Sequence, residues 1–210
     1  MSELVGHTGS VHRWVTGLLR TRVASGEESR QFYERPPEGE DVADWYDAGL
    51  SDLVGQLSAV DPSDKVWNWS DNRPEPARFW FRRMALETVV HRWDAENAAG
   101  DPGPIDPALA EDGIDEFISF VPDQLAVTPQ PLLNGVLALA ASDRPVASTL
   151  TLTPDHIECA PGIKGADVVV RATTSDLYLW MINRLPFDAA CITVEGDPAI
   201  ARAWSSVKFE

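Results

Sequence analysis

Glu87-Thr-Val-Val-His91 lies inside a segment whose apolar spacing predicts a helix over residues 76–98, with Gly100 positioned to end it. On a helix, a spacing of four residues puts the carboxylate and the imidazole one turn apart on the same face. Two side chains placed in this way can bind the same metal ion. This helix and its charged pair are the starting point for the interpretation of the whole chain.

A buried carboxylate needs a partner. The helix face that carries Glu87 and His91 also carries Trp80, so we expect the pair to face an apolar core. An uncompensated carboxylate in a core costs several kcal/mol or takes up a proton. A divalent cation would compensate Glu87, and so would Arg82 or Arg83, with His91 then a hydrogen-bonded core histidine. The pair alone leaves both interpretations open.

A second predicted helix, over residues 3–23, supplies a third candidate ligand. Its apolar stripe runs through Leu4, His7 and Val11, so we expect His7 to face the core. His12 lies five residues further on, about 140° around the helix, and cannot share that stripe. We therefore prefer His7 as the ligand and keep His12 as the reserve ligand.

Two further patterns bear on these histidines. Val11-His-Arg-Trp14 recurs as Val90-His-Arg-Trp93, which would make His12 the counterpart of His91, but four residues are too few to establish a repeat. Asp94 lies one turn beyond His91 and is a candidate hydrogen-bond partner for its imidazole, since carboxylates often orient histidine ligands of metals. Asp94 could equally pair with a nearby arginine.

These segments resemble a known family. Leu4-Val-Gly-His7, Val11-His-Arg-Trp14 and the segment from Glu87 to Glu96 are similar to the metal-binding bundle of mycothiol-dependent maleylpyruvate isomerases, a branch of the DinB-like superfamily. The resemblance implies a four-helix bundle in which His7, Glu87 and His91 hold a divalent metal, usually zinc. Residues 166–172, 176–180 and 194–204 are similar to the small sterol-carrier-like C-terminal domain of the same proteins.

The amino terminus departs from the family pattern. Members usually have a long helix before the first ligand histidine, whereas here that histidine is residue 7. Either the true start lies upstream, or the bundle is completed by another route. A missing helix would expose the apolar faces of its neighbours. We expect either a homodimer formed through that face or partial disorder of residues 1–20, with His7 displaced from Glu87 and His91.

The chain changes character near residues 127–147. Before this region the predicted elements are helices, and after it they are mainly strands. The helices cover residues 3–23, 41–60, 76–98 and 107–126; the strands cover 147–153, 156–159, 167–171 and 191–195, with helices over 174–185 and 198–207. The sequence therefore predicts a mixed, multidomain α+β protein, with an N-terminally short DinB-like metal-binding bundle over residues 1–127 and a small α+β domain over 128–210.

Composition limits the classes of partner. A formal net charge of −16 and a pI near 4.5 argue against binding to nucleic acids or anionic membranes, which needs a positive surface. Cys159 and Cys191 have neither zinc-knuckle nor redox-motif spacing. The sequence shows no signal peptide and no apolar run of about 18 residues. We expect a reduced, cytoplasmic protein that acts on small molecules.

The resemblance also implies an activity. In the family, a bound metal activates mycothiol, a low-molecular-weight thiol, for attack on an electrophilic substrate. Some members isomerise a double bond by adding and expelling the thiol, and others are thought to be thiol transferases. The alternative is a non-catalytic binding or structural protein that retains the DinB-like fold.

Overall fold

The computed structural model describes residues 2–37, 41–70, 73–127, 134–153 and 156–207. Contacts divide the chain into two compact units, Met1–Gly103 and Pro104–Glu210. The first is mainly helical and the second combines a sheet with helices, so the predicted α+β class is confirmed. Across the described segments, no helix combines the length and the hydropathy needed to cross a bilayer.

Three long helices dominate the first unit, close to their predicted positions. A short 3-10 helix follows α2, and an antiparallel hairpin precedes α4. Gly100 ends α4 in the left-handed conformation, with φ of 86°. The elements are α1 (Ser2–Thr21), α2 (Gly26–Ser29), α3 (Val42–Ala59), β1 (Lys65–Asn68), β2 (Arg73–Pro76) and α4 (Arg78–Ala99).

The core of this unit forms where α1 packs between α3 and α4. Leu18, Trp80 and Met84 are buried in it, and the rings of Trp14 and Trp80 meet edge to face with centroids 5.4 Å apart. The expectation that a missing helix would expose these faces is therefore wrong for Leu18, Trp80 and Met84. The predicted homodimer remains a prediction.

An apolar groove of about 420 Å³ lies between α3 and α4. Its rim includes Val54, whose side chain is exposed. The two polar residues in its lining, Thr88 and Arg92, are both on α4. The lining residues are Leu50, Leu53, Val54, Leu57, Phe81, Met84, Ala85, Thr88, Val89 and Arg92.

The second unit is a five-stranded sheet with three helices. Its strand order is β5-β4-β3-β6-β7, in which β3 and β6 pair in parallel and the other neighbours are antiparallel. The elements are α5 (Pro107–Val127), β3 (Gly135–Ala141), β4 (Ala147–Thr153), β5 (His156–Pro161), β6 (Val168–Ala172), α6 (Thr174–Met181), β7 (Thr193–Gly196) and α7 (Pro198–Trp204).

The central strand β3 was not predicted. Its residues 137–140 are buried in succession, because the strand lies in the middle of the sheet. A strand covered on both faces has a continuous apolar run in place of alternation, and such a run is easily missed. The other strands lie within about two residues of their predicted bounds.

Helix α5 packs in the second unit, whereas the sequence placed it before the domain boundary at residues 127/128. It contacts β5 and α6. A side chain at Gly113 would lie 2.5 Å from the phenol ring of Tyr178, which shows how closely α5 approaches α6. Just before α5, the Ile105 N–H donates to Ser175 Oγ at 2.9 Å. These contacts place the observed division near residue 103.

The close contact of α1 with α3 gives a first testable prediction. A methyl group at Gly9 would lie 2.5 Å from the Trp45 ring, so Gly9→Ala should lower the free energy of unfolding by about 1–3 kcal/mol. This loss should exceed the gain of about 1 kcal/mol in helix propensity. Gly55→Ala is the control, because no described neighbour lies within 4 Å of the new methyl group, and it should be neutral or stabilising. Urea denaturation measures both.

Candidate metal centre

The three preferred ligand residues lie together where α1 meets α4. His7 Nε2 is 3.5 Å from Glu87 Oε1, and His91 Nε2 is 3.0 Å from the same oxygen. One donor atom from each residue lies within 4.8 Å of the other two. Tetrahedral zinc with bonds near 2.0–2.1 Å separates its ligand atoms by about 3.3 Å. The donor set and its spacing therefore fit a divalent ion of this kind.

Helix geometry explains this convergence. The four-residue spacing on α4 puts Glu87 and His91 one turn apart, and α1 runs antiparallel to α4 and presents His7 to both. The His7 and His91 rings meet edge to face with centroids 5.2 Å apart. The alternative in which His7 is displaced from the other two residues is not the arrangement in this structure.

Asp94 holds the imidazole of His91 in a defined orientation. His91 Nδ1 lies 2.9 Å from Asp94 Oδ2, which leaves Nε2 directed towards Glu87. A carboxylate that accepts from one ring nitrogen fixes the tautomer in which the other nitrogen can bind a metal. Burial disfavours the charged imidazole, but the hydrogen bonds to Asp94 and Glu87 outweigh it and raise the pKa of His91 to about 9.

Glu87 is anionic in this environment. Burial opposes ionisation, yet the hydrogen bonds from His7 and His91, together with the charge of Arg83, hold the pKa of Glu87 well below its usual range. Arg83 Nη2 lies 3.4 Å from Oε2 of Glu87, whereas both imidazoles approach Oε1. The arginine pairing considered from the sequence is thus present alongside the histidine cluster.

The cluster lies at the edge of the core and not inside it. The side chains of Glu87 and His91 are 21% and 15% exposed, and that of His7 is 51% exposed. The expectation that His7 faces the core is therefore wrong. The buried side of α1 faces α3, so the side chain of His7 lies at the edge of that buried face. A small molecule could reach His7 from solvent.

His12, the reserve ligand, is fully buried and stands apart from the cluster. Its Nε2 lies 3.3 Å from Thr88 Oγ1 on α4. Burial lowers the pKa of His12 to about 4, so the ring is neutral at physiological pH. The described residues form one group with metal-ligand spacing, and His12 is not part of it. The contact with Thr88 was not predicted, because no sequence pattern specifies how two helices pair.

The pKa of His91 predicts how stability depends on pH in the metal-free protein. A pKa raised above the unfolded value of about 6.5 contributes stability that is complete below pH 6.5 and is lost as the pH rises through 9. This contribution should fall by about 3 kcal/mol over that range. Asp94→Asn should flatten the decline and lower the pKa of His91, as measured by urea denaturation and by NMR titration.

The matched control is Asp52→Asn, which makes the same charge change at an exposed position on α3. It should leave the pH profile between 6.5 and 9 unchanged. An Asp94→Asn protein with the wild-type profile would contradict the role of the Asp94–His91 hydrogen bond.

Comparisons with known proteins match both units. Residues 1–96 match the family model of the mycothiol maleylpyruvate isomerase N-terminal domain, and residues 108–203 match that of the C-terminal domain of the same family. No curated protein matches this chain. Among solved structures, a protein titled "UbiJ-SCP2 Ubiquinone synthesis protein" is 19% identical, with a TM-score of 0.36, covering 47% of this chain and 91% of its own. With both domains matched in order, the chain belongs to the mycothiol maleylpyruvate isomerase family.

Proposed function

We propose that this protein is a mycothiol-dependent enzyme in which His7, Glu87 and His91 hold a divalent metal, with zinc as the metal. The observation that carries the proposal is the convergence of three donor atoms from two helices within 4.8 Å, behind which Asp94 orients one imidazole. Two imidazoles and a carboxylate form the donor set of catalytic zinc sites that keep one coordination position open.

The proposed cosubstrate is mycothiol, and the reaction is thiol attack on a small electrophile, as in an isomerase or a thiol transferase. Membership of the family supports this choice of thiol. When bound, the metal would lower the pKa of a thiol in the open position, so that the thiolate is available at neutral pH.

With a divalent cation bound, the charges at the site would favour an anionic guest. Glu87 and Asp94 carry negative charge, and Arg83 offsets part of it. Together with a divalent cation, these three side chains leave a net positive charge, which favours thiolate over thiol. The exposed side of His7 leaves a path from solvent to the site. Glu87 and His91 both lie on helix α4.

Metal content tests the first part of the proposal. Protein purified without chelators should carry about one zinc per chain by elemental analysis. His91→Ala should lower the zinc content more than His12→Ala, because only His91 directs a nitrogen at the cluster. Circular dichroism shows whether each variant is folded. A wild-type protein that is metal-free and takes up no zinc, nickel or cobalt would contradict the site.

Cobalt substitution tests the thiol. Mycothiol should shift the absorption of the cobalt-loaded protein through a new sulfur–metal bond, and Glu87→Gln, loaded to the same cobalt content, should respond weakly. The control ligand is S-methyl mycothiol, which cannot form a thiolate and should cause no shift. A cobalt spectrum that does not change with mycothiol or other small thiols would contradict the enzymatic assignment and favour a binding or structural role. It would not contradict the fold.

A further inference from the structure

His12 is a buried polar side chain that the proposed reaction does not use. It is 0% exposed, and its Nδ1 is shielded from solvent with no hydrogen-bond partner among the described residues. A buried nitrogen left in this state costs about 1–3 kcal/mol. An apolar side chain would avoid that cost, so the imidazole at this position calls for an explanation.

Among the described residues, the hydrogen-bond partner of the His12 ring lies on α4. His12 Nε2 lies 3.3 Å from Thr88 Oγ1, and Thr88 directly follows Glu87 in the chain. The contacts between α1 and α4 follow one another in antiparallel order: Trp14 meets Trp80, His12 meets Thr88, and His7 meets His91. The His12–Thr88 contact lies next to the donor cluster.

α1 is held much more extensively by α3 than by α4. Gly9 lies against the ring of Trp45, and Arg13 donates to the Trp45 carbonyl at 2.7 Å while its guanidinium stacks on the same ring at 3.9 Å. These contacts fix α1 on α3, and its register against α4 depends in addition on direct contacts with α4.

His7 depends on that register, because its half-exposed side chain has little packing of its own. Metal–ligand distances tolerate deviations of only about 0.2 Å. A slide of α1 along α4 by about 1 Å would therefore take His7 out of bonding range of an ion shared with Glu87 and His91.

We propose that His12 is a positioning residue, whose contact with Thr88 sets the register of α1 against α4 and so holds His7 at bonding distance from the metal. The proposal rests on the metal site of the proposed function. A neutral imidazole suits this role, because it bonds to a hydroxyl without placing a second positive charge beside the cation. The lowered pKa of His12 agrees with this.

Substitutions at Thr88 test the contact with little change in volume. Thr88→Val removes the hydroxyl and should weaken cobalt and zinc binding by roughly tenfold, whereas Thr88→Ser keeps it and should stay within about twofold of wild type. Thr16→Val is the matched control, since it removes a buried hydroxyl on α1 that donates within the helix to the His12 carbonyl. It should leave metal affinity unchanged.

A double-mutant cycle separates positioning from general destabilisation. His12→Leu should resemble Thr88→Val, and the double variant should bind metal no more weakly than either single variant, because both remove the same contact. NMR of the metal-free proteins gives a second readout. The His7 and His91 ring centroids are 5.2 Å apart, so wild type should show cross-relaxation between the two rings. This cross-relaxation should weaken in Thr88→Val and persist in Thr88→Ser and Thr16→Val.

Three results would overturn the inference. The first is a Thr88→Val protein with wild-type metal affinity and wild-type His7–His91 cross-relaxation. The second is additive losses in the double variant. The third is the loss of one imidazole from the cobalt ligand set in His12→Leu, which would make His12 a ligand. If His12→Leu does not fold, the two Thr88 variants decide the matter. If wild type binds no metal, the proposed function fails, while the metal-free NMR comparison still tests the positioning.

Discussion

A carboxylate largely shielded from solvent between two helices is the constraint on which this site depends. Glu87 keeps its charge because three partners reach it: Arg83 from one turn before, His91 from one turn after, and His7 from the opposing helix. A divalent cation meets the same demand through the same atoms, since both imidazoles already approach Oε1. The ion-pair arrangement and the proposed metal site are thus two ways of compensating one buried charge. Both require α1 to stay in place against α4.

The packing of α1 on α3 decides which of its histidines is buried. Small residues on one side of α1 let aromatic rings come close, as Gly9 does for Trp45 on α3 and Gly17 does for Phe32 on the 3-10 helix. This contact turns the centre of the buried face towards His12 and leaves His7 at its edge. This position suits the proposed metal site, because a small molecule could reach His7 from solvent. The residue inside the core is left to hold the helices in register.

The second unit shows where local patterns stop being informative. Strand patterns, several of them with alternation of apolar and polar residues, predicted the four strands on either side of the central one. The central strand over residues 135–141 was missed because both of its faces are covered. The helix over 107–127 was found correctly, but its amphipathic pattern says only that one face is buried. It does not say against which unit. Contacts with β5 and α6 assign that face to the sheet.

The sequence by itself determined that Glu87, His91 and Asp94 lie on one side of a helix, because helical periodicity fixes the relation between residues three and four apart. It also carried the family resemblance that both domain matches show. Only the tertiary structure decided whether His7 or His12 meets Glu87 and His91. The two histidines are five residues apart on α1, so either could do so until the rotation and register of that helix are set. Those are set by packing on α3 and by contacts with α4, which involve residues far apart in the chain. No local pattern encodes a relation of that kind.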